Sequence, residues 1–362
     1  MNGAAAEPTT LELATVQRIR VGVVKVSMVI RAKASLRVSF AGGGTDVPPF
    51  PETEGGAVLS STIDRYAYGS LRPRSDGRIT VESVDLGISL NFAVQEELTF
   101  DGELDLVKAA IRRLGPAERA GYDLSLRSSA PPGSGLGSSS TLAVVLVALL
   151  QEHYRLALTD YETAQLAYEI ERDDLGINGG LQDHYAATFG GFNYIEFTDR
   201  VVVNPLRIRR EIVNELELSL MLCYTGVTRQ STRIIGDQSA RARDRDPRTL
   251  EGLRSQKRLA VEMKSALLRG QIREFGALLD QAWHEKKKMS PLITTEQIDE
   301  AYEVARRTGA LGGKVTGAGG GGHILFFCDF DSKHRVAASL ERLGATVTEF
   351  GFASEGVTTW RA

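Results

Sequence analysis

Four stretches of the 362-residue chain set glycine beside hydroxyl or charged side chains at spacings that can do chemistry. The densest runs Pro131-Pro132-Gly133-Ser134-Gly135-Leu136-Gly137-Ser138-Ser139-Ser140-Thr141. Two prolines forbid regular structure just before it. Three alternating glycines permit tight turns and let a ligand approach the backbone. Four hydroxyl residues then open a helix with N-cap chemistry, Ser138 being the expected cap. A Gly-rich loop feeding a helix N-terminus presents free N–H groups and a positive dipole end. That is an anion site, and phosphate is the common anion. No lysine follows the last glycine, so it is not a Walker A loop. Taken alone, the same residues also suit a plain connector with a well-capped buried helix.

The second stretch is Arg37-Val38-Ser39-Phe40-Ala41-Gly42-Gly43-Gly44-Thr45-Asp46. Its glycines, with Thr45 and Asp46, form either a turn with an Asx cap or a wall where backbone meets ligand. In the second case Asp46 accepts hydrogen bonds from hydroxyls and Arg37 supplies a fixed cation. The third stretch, Glu171 to His184, puts Glu171 and Asp183 on either side of a Gly-Gly turn. Two carboxylates so placed can converge. One suits Mg²⁺, which wants hard oxygen ligands, and the other suits orienting or deprotonating a hydroxyl. A solvated acidic loop would also account for them, and His184 reads as structural. The fourth, Lys314 to His323, holds a glycine cluster that includes Gly319 and Gly320. Glycines cost entropy on folding, so the cluster is best explained by close backbone approach to something. Two basic features complete the set. Arg229 and Arg233 share a helix face at i, i+4, and their forks suit phosphate. Lys286-Lys287-Lys288 is either a solvated face or, through Lys287, a phosphate contact.

The elements that must position these residues follow from periodicity. Alternation predicts strands over 36–41, 57–63, 65–71, 78–84, 88–94 and 122–128. Helices are expected over 104–114, from 138 to about 158, and over 161–172, with a hairpin over 190–205. This part reads as strands first, with helices on one face. Beyond about residue 206 the pattern changes to a strand over 216–224 and charged amphipathic helices over 229–243, 249–269, 271–289 and 295–308. A strand over 323–328, a helix over 333–343 and a strand over 346–352 follow, a smaller α+β arrangement. Residues 1–27 read as a disordered extension; the units are then 28–205 and 206–362.

Composition excludes several classes. With 42% hydrophobic and 25% charged residues and a net charge of -3, nothing suggests a bulk basic field for nucleic acid. Two cysteines exclude a disulfide framework and suit a reducing cytosol. No apolar run reaches the roughly 20 residues that span a bilayer, and no membrane partner is expected. A monomer and a homodimer suit the sequence equally.

The motifs at 37–46, 131–140 and 314–322, in that order and with the Asp183 loop, resemble the GHMP kinases, over about residue 29 to the C-terminus. The Arg-Val-Ser-Phe-Ala-Gly-Gly-Gly-Thr-Asp form looks most like the D-glycero-D-manno-heptose 7-phosphate kinases, with fucokinases and galactokinases as relatives. The resemblance implies a two-domain α+β fold, the first half like ribosomal protein S5 domain 2 and the second ferredoxin-like. It implies ATP with Mg²⁺ in a cleft between them. Pro132, Gly133, Ser134, Gly135, Leu136, Gly137, Ser138, Ser139 and Ser140 match the ATP loop, and Ser139 with Glu171 the magnesium pair. Asp183 matches the catalytic aspartate, Arg37 the arginine near the reacting hydroxyl, and Asp46 the sugar-binding aspartate. Gly43, Gly44, Thr45, Arg229, Arg233, Lys287, Gly319 and Gly320 are the remaining expected substrate contacts. The implied reaction is phosphoryl transfer to the anomeric hydroxyl of a heptose 7-phosphate. A free-sugar kinase of the fucose or galactose type and a silent sugar or nucleotide sensor are the alternatives. Departures are Ser35 where a proline is frequent, the absence of the lysine of mevalonate kinases, and Gln182 and His184 flanking Asp183.

Overall fold

The structure, a computed structural model, describes residues 28–116, 120–227 and 231–362. The expected N-terminal extension and Arg229 lie outside the described residues. The strands are β1 (Ile30–Ala41), β2 (Gly56–Arg74), β3 (Arg78–Ser83), β4 (Ile88–Ala93), β5 (Gly121–Ser128), β6 (Phe192–Phe197), β7 (Val201–Pro205), β8 (Leu220–Tyr224), β9 (Ala310–Val315), β10 (His323–Cys328), β11 (Thr346–Thr348) and β12 (Thr358–Arg361). The helices are α1 (Phe50–Glu54), α2 (Asp105–Leu114), α3 (Ser138–Tyr154), α4 (Asp160–Glu169), α5 (Gln182–Phe189), α6 (Arg210–Ser219), α7 (Ser231–Arg243), α8 (Pro247–Arg269), α9 (Ile272–Lys286), α10 (Glu296–Thr308) and α11 (Phe330–Glu341). A single π-helical turn, Ile170–Asp174, continues α4.

Two sheets organise the chain. The first runs β12-β1-β2-β5-β3-β4, with β6 and then β7 added along the other half of β2. All its pairs are antiparallel except β3 with β5. The second runs β11-β8-β10-β9, all antiparallel. The expected strands over 57–63 and 65–71 are one continuous strand, β2, which pairs with β6 through Gly56–Ser61 and with β5 through Ala67–Arg74. Strand β12, from the end of the chain, returns to pair with Ile30–Lys33 of β1. The segment beyond residue 206 therefore contributes to both sheets.

A register shift between Ser35 and Arg37 does the most to place the site. Before it, Ala32 and Ala34 of β1 pack with Val144, Leu146 and other residues of α3. After it, Leu36, Val38 and Phe40 pack with Leu259 and Met263 of α8 and with Phe275 and Leu279 of α9. Bulges re-aim side chains. Here the shift frees the alternate positions, Arg37 and Ser39, to face the cleft. The first part's own helices were expected on one face, as found, while the opposite face is covered by helices from beyond residue 206. Helices α2 to α5 cover one face and α8 and α9 the other. Helix α3 is apolar all round because it is enclosed, by β1 and β2 beneath and α2, α4 and α5 beside it.

Two local expectations differ. The strand expected over 216–224 is helical through Ser219, since Ile212, Val213 and Leu216 form one buried helical stripe. Gln182–Phe189 is a helix rather than part of a loop. It is buried on most sides, so no amphipathic period marks it.

Candidate active site

Helix α3 begins without a side-chain cap, its N-cap being Gly137 with φ 75°. The expected cap, Ser138, donates instead to the Pro131 carbonyl at 3.2 Å. Ser139 and Ser140 also turn away from capping and donate to the two oxygens of Glu171, at 2.6 and 2.7 Å. The first N–H groups of a helix have no intrahelical partner. With no side chain capping them, they lie open at the positive end of the dipole, an arrangement suited to an anion. The loop before it is strapped down from both sides. Leu136 accepts from the Arg37 N–H at 3.1 Å, and Ser134 accepts from the His323 N–H at 3.1 Å.

The second glycine cluster explains itself here. A Cβ on Gly135 would sit 2.7 Å from the Thr316 carbonyl oxygen, and one on Gly317 would sit 2.8 Å from the Gly135 Cα. The close approach is loop to loop, backbone against backbone. The two clusters join the two halves of the chain across a cleft of about 190 Å³ that opens to solvent.

Charges converge on that cleft. Asp183, in the first turn of α5, receives Arg37 Nε at 2.6 Å and Nη2 at 2.8 Å, while Arg37 Nη1 donates to the Gly135 carbonyl at 2.7 Å. Asp46 is fully buried and accepts from the Gly44 N–H at 2.9 Å and the Gln182 N–H at 3.1 Å. Burial, and to a lesser degree the neighbouring Asp183 charge, push its carboxyl up, and the backbone N–H bonds only partly offset this. Gly180 admits it, since a Cβ there would fall 1.9 Å from Asp46 Oδ2. Burial would raise the Glu171 carboxyl too. Bonds from His184 and Ser139 and the Arg172 charge instead bring it down to about 2, so it is an anion. Its partner His184 is wholly buried, with Nε2 at 2.8 Å; a carboxylate only accepts, so Nε2 carries the proton.

On the far side are two buried lysines, of which Lys286 lines the cleft and Lys314 does not. Lys286 donates to the Gly317 carbonyl, and burial together with Arg37 brings its ammonium down to about 8 despite Asp46 and Asp183. Lys314 donates to the Ser39 carbonyl at 2.8 Å and is held well below its ordinary range by burial, Lys286 and Arg37.

Of the residues expected from sequence, Arg37, Gly43, Gly44, Asp46, Gly133, Gly135, Gly137, Ser138, Ser139, Ser140, Glu171, Asp183 and Gly319 line this cleft. Others do not. Ser134 and Leu136 point inward as anchors of the loop, and Pro132 is exposed outside the lining. Thr45 is buried and bonds to Gly42 and Ala57, which fixes the turn rather than meeting a ligand. Gly320 lies beside the N-terminus of α10, in a neighbouring depression. Arg233 is exposed on α7 and outside the lining, with Asp237 as its charge neighbour. Lys287 is also a miss, since it lies over Trp283 with Asp299 at 3.5 Å. The lysine that reaches the cleft is Lys286. Phe275, Leu279 and Ala282 are the buried positions of α9 at helical spacing, and Lys286 continues that stripe while Lys287 leaves it. That signal was in the sequence. Gln182, Arg172 and Ser39 also line the cleft; set within a helix, a π turn and a strand, they carry no motif of their own.

Two family models match the chain: GHMP kinases N terminal domain over residues 105–191 and GHMP kinases C terminal over residues 263–346. A D-glycero-alpha-D-manno-heptose 7-phosphate kinase of Campylobacter jejuni is 39% identical over 92% of this chain and 99% of its own length. A solved structure described as a D-glycero-D-manno-heptose 1-phosphate kinase from Bacteroides thetaiotaomicron is 38% identical, with a TM-score of 0.78 over 92% of this chain and 99% of that one. Lactococcus lactis galactokinase complexed with galactose superposes with a TM-score of 0.75 over 91% of this chain and 95% of that one. At 22% identity it shares the fold.

Proposed function

The chain belongs to the GHMP kinases, and on that premise we propose that it transfers the γ-phosphoryl group of ATP to the anomeric hydroxyl of a D-glycero-D-manno-heptose 7-phosphate. The observation that carries this reading is the Arg37–Asp183 pair, set against the uncapped start of α3 in one cleft. Phosphoryl transfer has a loose transition state, so positioning and charge neutralisation dominate. Each part of the site has a place in that scheme. The free N–H groups of α3 and Gly133 to Gly137 seat the β- and γ-phosphates. Asp183, fixed by two N–H donors from Arg37, orients the attacking hydroxyl and accepts its proton. An anomeric hydroxyl is more acidic than an ordinary alcohol, which suits a carboxylate base. Asp46 is placed to receive sugar hydroxyls.

Ser139 Oγ and Glu171 are hard oxygen donors 2.6 Å apart. The described residues hold no cluster of three or more metal-ligating side chains. Two protein oxygens completed by phosphate and water suit Mg²⁺. When bound, the ion would neutralise charge on the β- and γ-phosphates. The substrate's own phosphate falls to Lys286, buried at the cleft with, among the described residues, only a carbonyl as hydrogen-bond partner. That unmatched cation favours a sugar phosphate over a free sugar. Cys223 and Cys328 are both free and buried, which suits the cytosol, where ATP is at hand.

The test is ADP release across a panel of heptose 7-phosphate, heptose 1-phosphate, free heptose, fucose and galactose. The reading expects the 7-phosphate to give the highest kcat/KM. Preference for galactose or fucose would move the assignment to a free-sugar kinase. Nucleotide binding with no turnover on any acceptor would favour a sensor.

A further inference from the structure

Among the described residues, two arginines line the cleft and are held in opposite ways. Arg37 is locked by three bonds of 2.6 to 2.8 Å. Arg172, in the π turn, is desolvated but poorly matched. Its Nη2 meets Ser140 Oγ at 3.2 Å and Glu171 at 3.3 Å, its Nη1 reaches the Ile177 carbonyl only at 3.4 Å, and its Nε is buried with no partner. The two groups near Nη2 are already engaged, because Glu171 takes the hydroxyls of Ser139 and Ser140 and the imidazole of His184. A guanidinium has five donors and stays charged. The side chain is 11% exposed, and its one carboxylate neighbour already takes three other donors, so contacts this long leave hydrogen-bonding capacity of the guanidinium unused.

Its placement is specified. Gly179, which also lines the cleft, lies against it, and a Cβ there would fall 2.1 Å from Arg172 Cζ and 2.4 Å from Nη2. Gly179 is not among the positive-φ glycines. It gives clearance to the guanidinium rather than serving a left-handed turn. The guanidinium therefore sits on a backbone shelf, linked through Ser140 to the uncapped start of α3.

We propose that Arg172 is a catalytic residue that contacts the terminal phosphoryl group of the nucleotide, an inference that rests on the kinase reading above. In the step it serves, the sugar hydroxyl oxygen forms a bond to the γ-phosphorus. The bond from that phosphorus to the β–γ bridging oxygen breaks, and its electron pair leaves on ADP. The hydroxyl proton passes to Asp183. Arg172 neutralises charge on the moving phosphoryl oxygens opposite the N–H groups of α3, donating through the N–H groups that lack strong acceptors.

The full chain is compared with Arg172→Met, Gly179→Ala and the double variant. An electrostatic contact of this kind is worth about 100-fold in kcat, so Arg172→Met should lose about that much while KM for the sugar phosphate stays near the parent value. Binding of a non-hydrolysable ATP analogue should weaken and binding of ADP should not. Gly179→Ala keeps the charge but pushes the guanidinium off its shelf. It should show the same nucleotide signature, and the double variant should be no worse than Arg172→Met alone, the non-additivity of one shared contact. Unchanged kcat in both single variants overturns the proposal. Equal weakening of ADP and the ATP analogue also overturns it and leaves Arg172 as a support for Glu171. A rise confined to KM for the sugar phosphate assigns the guanidinium to the acceptor instead. The nucleotide arm needs no turnover, so an acceptor panel that stays silent with the parent enzyme counts against the kinase reading and leaves the binding comparison to decide Arg172.

Discussion

The two walls of the cleft treat charge differently. On the wall built by β1, α3 and α5, each carboxylate has its own close donors: Asp183 has Arg37, Glu171 has His184, Ser139 and Ser140, and Asp46 has backbone amides. On the side of α9 and β9, Lys286 at the cleft and Lys314 behind its lining are buried and, among the described residues, hydrogen-bond only to carbonyls. A matched pair is a fixed tool, since its geometry is settled before a ligand arrives. An unmatched buried cation costs stability and is retained for an anion that comes and goes. The first wall is the one that suits chemistry and the second the one that suits recognition.

Breaking the matched wall should have the largest effect. Asp183→Asn keeps the shape but loses the proton acceptor, and kcat should fall by about 10²–10⁴ while ATP affinity is retained. Single-turnover kinetics with nucleotide titration would check this, and near-parental kcat would remove Asp183 from the reaction. Breaking the unmatched wall should act on binding and stability in opposite directions. Lys286→Met should raise KM for the sugar phosphate, with a charge-assisted contact worth about 1.5–3 kcal/mol, or roughly ten- to a hundred-fold. The same variant should melt higher than the parent near pH 7, because it removes an unpaired buried charge. A variant that binds normally would show the two walls to be alike.

The pH dependence sharpens the contrast further. Lys286 titrates at about 8 in the folded chain and near its ordinary, higher value when unfolded. Between those values the unfolded state binds the extra proton, so this group makes stability rise as pH climbs from about 8. Over the same interval the folded ammonium is lost, and KM for a sugar phosphate should rise. The phosphate itself is already dianionic above about pH 6. Thermal melts and KM measured across this range in the parent should show both trends, and Lys286→Met should flatten both. The smallest effect belongs to Lys287→Met and Arg233→Ala. Neither residue lines the cleft, and KM in each should stay within the scatter of the parent assay.

Much of this was legible beforehand where one local rule sufficed. Gly133, Gly135 and Gly137 before hydroxyl residues announced a loop feeding a helix start, and at that start, uncapped by any side chain, Ser139 and Glu171 meet. Strands with clear alternation, such as Arg78–Ser83 and Ile88–Ala93, came out within a residue. What escaped depended on long-range packing. The bulge after Ser35 that turns Arg37 into the cleft depends on pairing with β2. Strand β12 depends on the free edge of β1 more than 300 residues away in sequence. The job of the Lys314–Gly322 glycines became plain only with the first glycine loop beside them. Ser138 had the right chemistry for a cap, but the Pro131 carbonyl was closer to hand. The lysine run 286–288 was expected to reach a phosphate, and the choice of Lys286 over Lys287 was readable from the helical stripe through Phe275, Leu279 and Ala282.

The central claim is tested most directly by phosphorus NMR of the product formed from ATP and D-glycero-D-manno-heptose 7-phosphate. The account predicts a second phosphate signal coupled to the anomeric proton, with the original phosphate retained, and no product from the same sugar lacking its phosphate. A new phosphate at any other carbon, or equal turnover of the unphosphorylated sugar, would contradict it.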